Sequence, residues 1–291
     1  KIWGQRLSDG TYATVYNPSR VSMAVSISLS KDGLNYTTLN LVHGEITRMR
    51  YGGNYKSHGP QYVRGIQEGN GIPEDGDLWL SYSVNKEDMW VSRIQVPVQL
   101  EATAHAKDDF SQAETLADLT DWNLYSPLWA PVSLEGKWLK MSDRDPFDYC
   151  RIERKIPASK ELKVAFDIKA DQNDKGLLQI EFLDENSIAC ARIDLNPDGT
   201  MLSKGGARYG KLLNYEAGKS YHVEVILSVS KRMSEVFIDG KKAGQRMFFA
   251  PVAAIERIAF RTGERRTFPT IDTPADWDGT LADAGEQEPL V

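Results

Sequence analysis

Short runs in which apolar and polar residues alternate dominate this chain. Residues 78–84 put Leu78, Leu80, Tyr82 and Val84 on one face and Trp79, Ser81 and Ser83 on the other. That period of two predicts a half-buried strand. Residues 89–96 supply its mate across Asn85-Lys86-Glu87-Asp88. Runs at 1–7 and 11–16 flank Ser8-Asp9-Gly10, and runs at 24–29 and 36–41 flank Asp32-Gly33. Asp-Gly between alternating runs predicts a tight hairpin, because Gly takes positive φ freely and Asp accepts hydrogen bonds from the turn backbone. Tyr36 is expected to cover the second of these turns.

The same pattern fills the second half. Val164, Phe166 and Ile168 fall in one phase, as do Val223, Val225 and Leu227. Strands are predicted at 138–141, 149–155, 162–170, 176–183, 188–194, 221–228, 234–238, 241–247 and 254–261. Turn residues recur at 173–176, 196–199 and Asp239-Gly240. Many antiparallel strands separated by turns imply a two-sheet sandwich. The fold class is therefore all-β. Residues 97–136 have a weaker pattern: 102–119 reads as a polar linker with one short helix, and the aromatic-rich 121–132 as an ordered strap. Three segments follow: a β domain at 1–100, a linker and strap at 101–132, and a second β domain at 133–291.

Composition narrows the function classes. The chain has 291 residues and a net charge of −6, which gives no sign of the basic face that a nucleic-acid partner needs. No apolar run is long enough to span a bilayer. The chain opens at Lys1 in a strand-like run with no leader pattern, and it is read as a trimmed form. The two cysteines, Cys150 and Cys190, lie in separate predicted strands. Two buried thiols or one bridge both fit that placement.

The segment Ser30-Lys31-Asp32-Gly33-Leu34-Asn35-Tyr36 resembles the Asp box of sialidase-type β-propellers. Three hairpins cannot close a propeller, so the resemblance implies that residues 1–100 are its terminal blades. A small open sheet is the alternative. Tyr221-His222-Val223-Glu224-Val225 followed by Glu235-Val236-Phe237-Ile238-Asp239-Gly240 resembles a concanavalin-like, laminin-G-like jelly roll. That likeness covers most of 137–265 and speaks for fold rather than function. The Glu-x-Asp-x-x-Glu strand of hydrolytic jelly rolls does not occur, so the resemblance implies an accessory module there.

One window concentrates chemistry. Between Arg48 and Asn70 the chain is dense in Arg, Tyr, His, Lys and Gly. Glycines allow sharp turns and close backbone approach, and Arg grips a carboxylate with two parallel hydrogen bonds. Candidate substrate-binding residues are Arg50, Tyr51, Lys56, Gln61, Arg64 and Asn70. Candidate catalytic residues are His58, as acid or base near neutral pH, and Tyr62, as proton donor or activated nucleophile. An ordinary solvated loop is the competing reading. Sialidases are the glycosidases with a Tyr nucleophile, so the resemblance implies Arg50 and Arg64 on a substrate carboxylate, with Glu45 or Glu68 beside the Tyr.

The expected activity is a sialidase-like hydrolase acting on acidic, sialic- or uronic-acid-containing glycans. A non-catalytic carbohydrate-binding protein and a lyase on uronic-acid polysaccharides are the alternatives. The expected partner is carbohydrate, and the expected location is secreted, periplasmic or cell-surface. No cofactor is expected. Asp143, Asp145 and Asp148, or Asp272, Asp276 and Asp278, are candidate ligands for a structural calcium ion or solvated turn carboxylates. His43, His105 and His222 are isolated and form no zinc-spaced set.

Overall fold

The computed structural model describes residues 1–18, 24–45, 47, 58–66, 73–145 and 148–263. Within them the chain is nearly all β and divides into two compact units, 1–100 and 101–264. In the first, β1 (Ile2–Arg6), β2 (Tyr12–Tyr16), β3 (Val25–Ser30) and β4 (Asn40–His43) form an antiparallel sheet in chain order. A second sheet holds β5 (Pro60–Gly65), β6 (Leu78–Val84) and β7 (Asp88–Ile94).

The alternation in residues 78–84 is realised: Leu78, Leu80, Tyr82 and Val84 are buried and the residues between them are half-buried. They share a core with Val63, Val15, Val25 and Ile27, so the two sheets of this unit cover each other's apolar faces. At each Asp-Gly hairpin the carboxylate organises the turn. Asp9 accepts from the backbone N–H and hydroxyl of Thr11. Asp32 accepts from the backbone N–H of Leu34 and Asn35, while Ser30 Oγ accepts from Gly33 N–H. Hydrogen bonds from Asn35, its backbone first, hold the Asp32 carboxyl well below the usual carboxylate range. Gly33 stands at φ +77° with the Tyr12 ring 3.5 Å from where a Cβ would sit. Tyr12 therefore covers this turn. Tyr36, expected in that role, forms an isolated bridge with Ser30 and is 41% exposed.

The second unit begins with a single 3-10 turn at Leu116–Asp118 where a short helix was expected. The strap residues form β8 (Trp122–Tyr125). There follow β9 (Val132–Glu135), β10 (Trp138–Met141), β11 (Arg151–Ser159), β12 (Glu161–Lys169), β13 (Leu178–Leu183), β14 (Ala189–Leu195), β15 (Thr200–Gly205), β16 (Arg208–Asn214), β17 (Ser220–Ser228), β18 (Met233–Ile238), β19 (Lys241–Met247) and β20 (Ile255–Thr262). They build a seven-stranded sheet, β16-β15-β14-β13-β20-β11-β8, a four-stranded sheet, β12-β17-β18-β19, and the β9–β10 hairpin. The larger and smaller sheets bury one core between them. Ile180, Phe182 and Ile193 come from the first and Val223, Val225, Leu227 and Val236 from the second. Phe166 meets Phe260 edge-on across the layers, centroids 5.3 Å apart. Each such apolar side chain contributes about 1.5–3 kcal/mol by leaving water. Strands β9, β15 and β16 were not expected. The β15–β16 hairpin is too polar and glycine-containing to show an alternating signature.

Polar groups are also buried here. Cys150 and Cys190 are free, buried thiols, each pushed up to about 12 by desolvation. Asp143, Asp145 and Asp148 are buried rather than solvated. Thr262 donates to Asp143, and Tyr125 and the Tyr149 N–H donate to Asp148. No group of three or more possible metal ligands occurs among the described residues. Asp272, Asp276 and Asp278 lie outside them. His222 is an exposed sheet residue whose ring faces Asp167 at 2.7 Å.

Candidate functional site

The candidate window reaches the described structure at His58 and enters strand β5. Its position is set by Asn85. The Gly59 N–H donates to Asn85 Oδ1 at 2.8 Å, and the Asn85 N–H donates back to the Gly59 carbonyl at 3.0 Å. Asn85 Nδ2 also donates to Thr47 Oγ1. Asn85 and Lys86 take φ of +56° and +54°, and Glu87 N–H closes the turn onto Val84 O. This is the primed hairpin turn that matches strand twist, and Asn is the non-glycine residue that best tolerates it. The β6–β7 turn and the start of β5 are thus tied together, with His58 half-buried beside them.

Strand β5 carries a bulge. Gln61 pairs with Ser83 and Arg64 with Ser81, so Tyr62 and Val63 together stand opposite Tyr82. Tyr62 absorbs the extra residue with φ +61°. Bulges re-aim side chains and are enriched beside functional sites. Here the register puts Gln61 and Arg64, three apart in sequence, on one face with Ser83 and Ser81. Val63 points inward and is fully buried. Gln61 is buried, Arg64 is exposed, and Tyr62 is 45% exposed. The Lys1 ammonium lies 4.5 Å from the Tyr62 ring centroid and that of Lys86 5.8 Å. At the strand's end Gly65 admits the Trp3 indole, whose Nε1 would lie 2.2 Å from a Cβ placed there.

Four candidate residues, His58, Gln61, Tyr62 and Arg64, therefore sit on or just before one bulged strand. Arg50, Tyr51, Lys56 and Asn70 lie outside the described residues. Reasoning from sequence missed Asn85, Lys86 and Lys1. The asparagine at a hairpin tip was the available signal for the first two, while nothing in the sequence pairs Lys1 with Tyr62.

A second feature lies within the second unit. A cleft of about 1130 Å³ opens between edge strand β12 and the β9–β10 hairpin. Its apolar lining comes from Leu139, Met141, Ile152, Val164, Phe166 and Phe260. Charged groups at its rim are paired: Lys140 with Glu135 at 3.0 Å, Lys163 with Glu224 at 2.7 Å and Arg154 with Asp121 at 2.8 Å. Trp138 stands 38% exposed at the mouth, with the Lys169 ammonium 5.9 Å from its ring. A half-exposed indole above an apolar trough offers the planar face on which a sugar ring can stack.

Comparison with known proteins bears on both features. A family model described as Sialidase-like, CBM domain matches residues 122–277, just over half of the chain. The chain belongs to this family. The match takes in β8 through β20 and almost all of the cleft lining, so this CBM-type domain is the cleft-bearing unit. A solved chain named Sialidase is 72% identical over 99% of this chain, with a TM-score of 0.96. The present chain spans only 27% of that sialidase's length. More distant structures include the apo Crh5 transglycosylase, with 13% identity, coverage of 53% and 66% of the two chains and a TM-score of 0.43. A Bacillus licheniformis beta-glucanase has 9% identity, coverage of 58% and 88% and a TM-score of 0.42. Nothing among curated proteins matches the chain. No helix among the described residues is long and apolar enough to cross a membrane.

Proposed function

We propose that this chain works as part of a sialidase-like, glycan-active hydrolase on acidic glycans outside the cytoplasm. In this reading residues 1–100 are terminal blades of an Asp-box propeller, residues 101–132 are linker and strap, and residues 133–291 are a concanavalin-like accessory jelly roll. The observation that carries it is the 72% identity to a sialidase over nearly the whole of this chain. Arg64, with Arg50, binds the substrate carboxylate. Tyr62 and His58 act at the glycosidic centre. The cleft beside Trp138 holds the sugar chain.

A second reading, in which this portion only binds carbohydrate, is favoured by the family match over the cleft-bearing unit and by the short span of the sialidase that the chain covers. The full chain incubated with sialylated and uronic-acid oligosaccharides separates the two. Release of free acidic sugar, lost in Tyr62→Phe, supports the hydrolase. Binding without release, weakened by Trp138→Ala, supports the binder. An ultraviolet-absorbing unsaturated product marks elimination and overturns the hydrolase in favour of a lyase. A chain that neither binds nor turns over any of these glycans sinks both readings.

A further inference from the structure

We infer that the cleft between β12 and the β9–β10 hairpin takes an uncharged part of the glycan, with a methyl or similar apolar group turned inward, and not the carboxylate. This rests on the reading of the cleft as the part that holds the sugar chain, and it separates that role from recognition of the acidic residue.

The first observation is a row of core positions left open. Strand β12 pairs with β17 so that Leu162 stands beside Leu227, Val164 beside Val225, Phe166 beside Val223 and Ile168 beside Tyr221. Paired residues share one face of a sheet, and here it is the face that packs on the core. The four on β17 are buried, yet the four on β12 are only half-buried and line the cleft. Leu139 and Met141 of β10, also half-buried, line it too. A ligand laid on this row gains by covering apolar surface, whereas a hydroxyl pressed into it loses its water with no partner in exchange.

The second observation is that rim cations already hold carboxylates of the chain itself. Lys140 meets Glu135 at 3.0 Å and Asp171 at 3.8 Å, and Lys169 meets Asp171 at 3.6 Å. Lys163 meets Glu224 at 2.7 Å, and Arg154 meets Asp121 at 2.8 Å and Asp108 at 3.5 Å. A carboxylate brought to one of these cations would stand beside the carboxylate already there, and like charges so placed repel. Neutral hydroxyls suit the same rim, because they accept from an ammonium and donate to a carboxylate.

The third observation is size. A volume of about 1130 Å³ lies just above the roughly 300–1,000 Å³ of small-ligand sites, so more than one sugar ring fits. Trp138 at the mouth offers a flat apolar face to the C–H groups of one ring. The ligand class is a neutral oligosaccharide with a deoxy or methyl-bearing ring whose apolar group lies on the Val164–Phe166 row.

Calorimetric titration of the full chain tests this with cellotriose and two versions of it whose non-reducing ring carries, at C6, a methyl group or a carboxylate. The methyl probe should bind about fourfold tighter than cellotriose, the worth of covering one such group. The carboxylate probe should bind about tenfold more weakly than cellotriose, since it must be desolvated beside like charges. Val164→Thr keeps the side-chain shape and should abolish the methyl preference. Met141→Gln makes the same kind of change on the hairpin and should act likewise. Trp138→Ala should weaken all three probes by a similar factor, because stacking is indifferent to C6. Thermal melts close to the parent's separate these losses from unfolding.

A methyl preference that survives in both Val164→Thr and Met141→Gln overturns the inference. So does equal binding of the three probes by the parent, and the proposed function then stands. A parent that prefers the carboxylate overturns the inference and strengthens the acidic-glycan reading. A parent that binds none of them removes the cleft as a glycan site. Release of free acidic sugar from sialylated oligosaccharides then decides the hydrolase on its own.

Discussion

Asn85 and Gly59 exchange two hydrogen bonds, side chain to backbone at 2.8 Å and backbone to backbone at 3.0 Å. Asn85 is buried and also holds Thr47. Asn85→Ala removes both side-chain bonds, stranding the Gly59 N–H donor and the Thr47 Oγ1 acceptor, so a loss of about 2–4 kcal/mol is expected from these two groups together with the strained φ. Asn85→Gly suits the backbone and should cost less. Urea midpoints of the two variants against the parent check the order, and equal midpoints for Ala and parent would show that the Asn85–Gly59 clamp does not stabilise the fold.

Tyr62 gives the opposite pattern. Tyr62→Gly relieves the positive φ, so stability should hold or rise by up to about 1 kcal/mol. Binding of acidic oligosaccharides should fall at the same time. Denaturant melts and a binding titration on one protein preparation measure both. A fall in stability comparable to a core deletion would show that Tyr62 is held for packing.

His43 makes the first unit sensitive to acid. It lies buried between Tyr82 and Trp90, with Nδ1 3.1 Å from the Tyr82 hydroxyl. Desolvation lowers its pKa from 6.5 to about 4, against a smaller opposing contribution from the Glu45 backbone. Above pH 6.5 the imidazole is neutral in both states and the full stability is present. As pH falls below that value the unfolded chain binds a proton that the folded chain refuses, so stability drops until the folded pKa near 4 is reached. Full burial of the shift corresponds to roughly 3 kcal/mol. Tyr82, pushed up to about 12 by burial, stays neutral throughout this range. Urea midpoints between pH 7 and 4.5 should fall in the parent and fall less in His43→Gln.

Glu181 and Arg261 form an ion pair at 3.4 Å on β13 and β20, both almost wholly buried. Gln179 accepts from the same guanidinium. Glu181→Leu leaves a buried cation with less compensation and should cost about 3–5 kcal/mol, while Glu181→Leu with Arg261→Met should recover much of that. A double variant no better than the single one would show that the pair is not the source of the loss.

These particulars show what residue order discloses. Alternation in 78–84 exposes the inner face of β6 because side chains along a strand divide cleanly between core and water. The Asp-Gly turns declare themselves through local hydrogen bonds. The bulge at Tyr62 has no such signature, since glycine or asparagine is the usual bearer of its conformation. Buried Asp143 accepts from Thr262, 119 residues away, and the buried Tyr82 hydroxyl meets a histidine 39 residues earlier. The cleft is likewise a product of sheet widths: seven strands face four, and no single run encodes the difference.

Strand β12 borders that cleft with its outer edge unpaired among the described strands, and it presents Glu161, Lys163, Asp167 and Lys169 on the exposed phase of the alternation. A polypeptide adding itself along this edge would have to desolvate those charges beside its own side chains, so the trough resists fibril-like self-association. The charges along this one edge thus take the place of a covering strand.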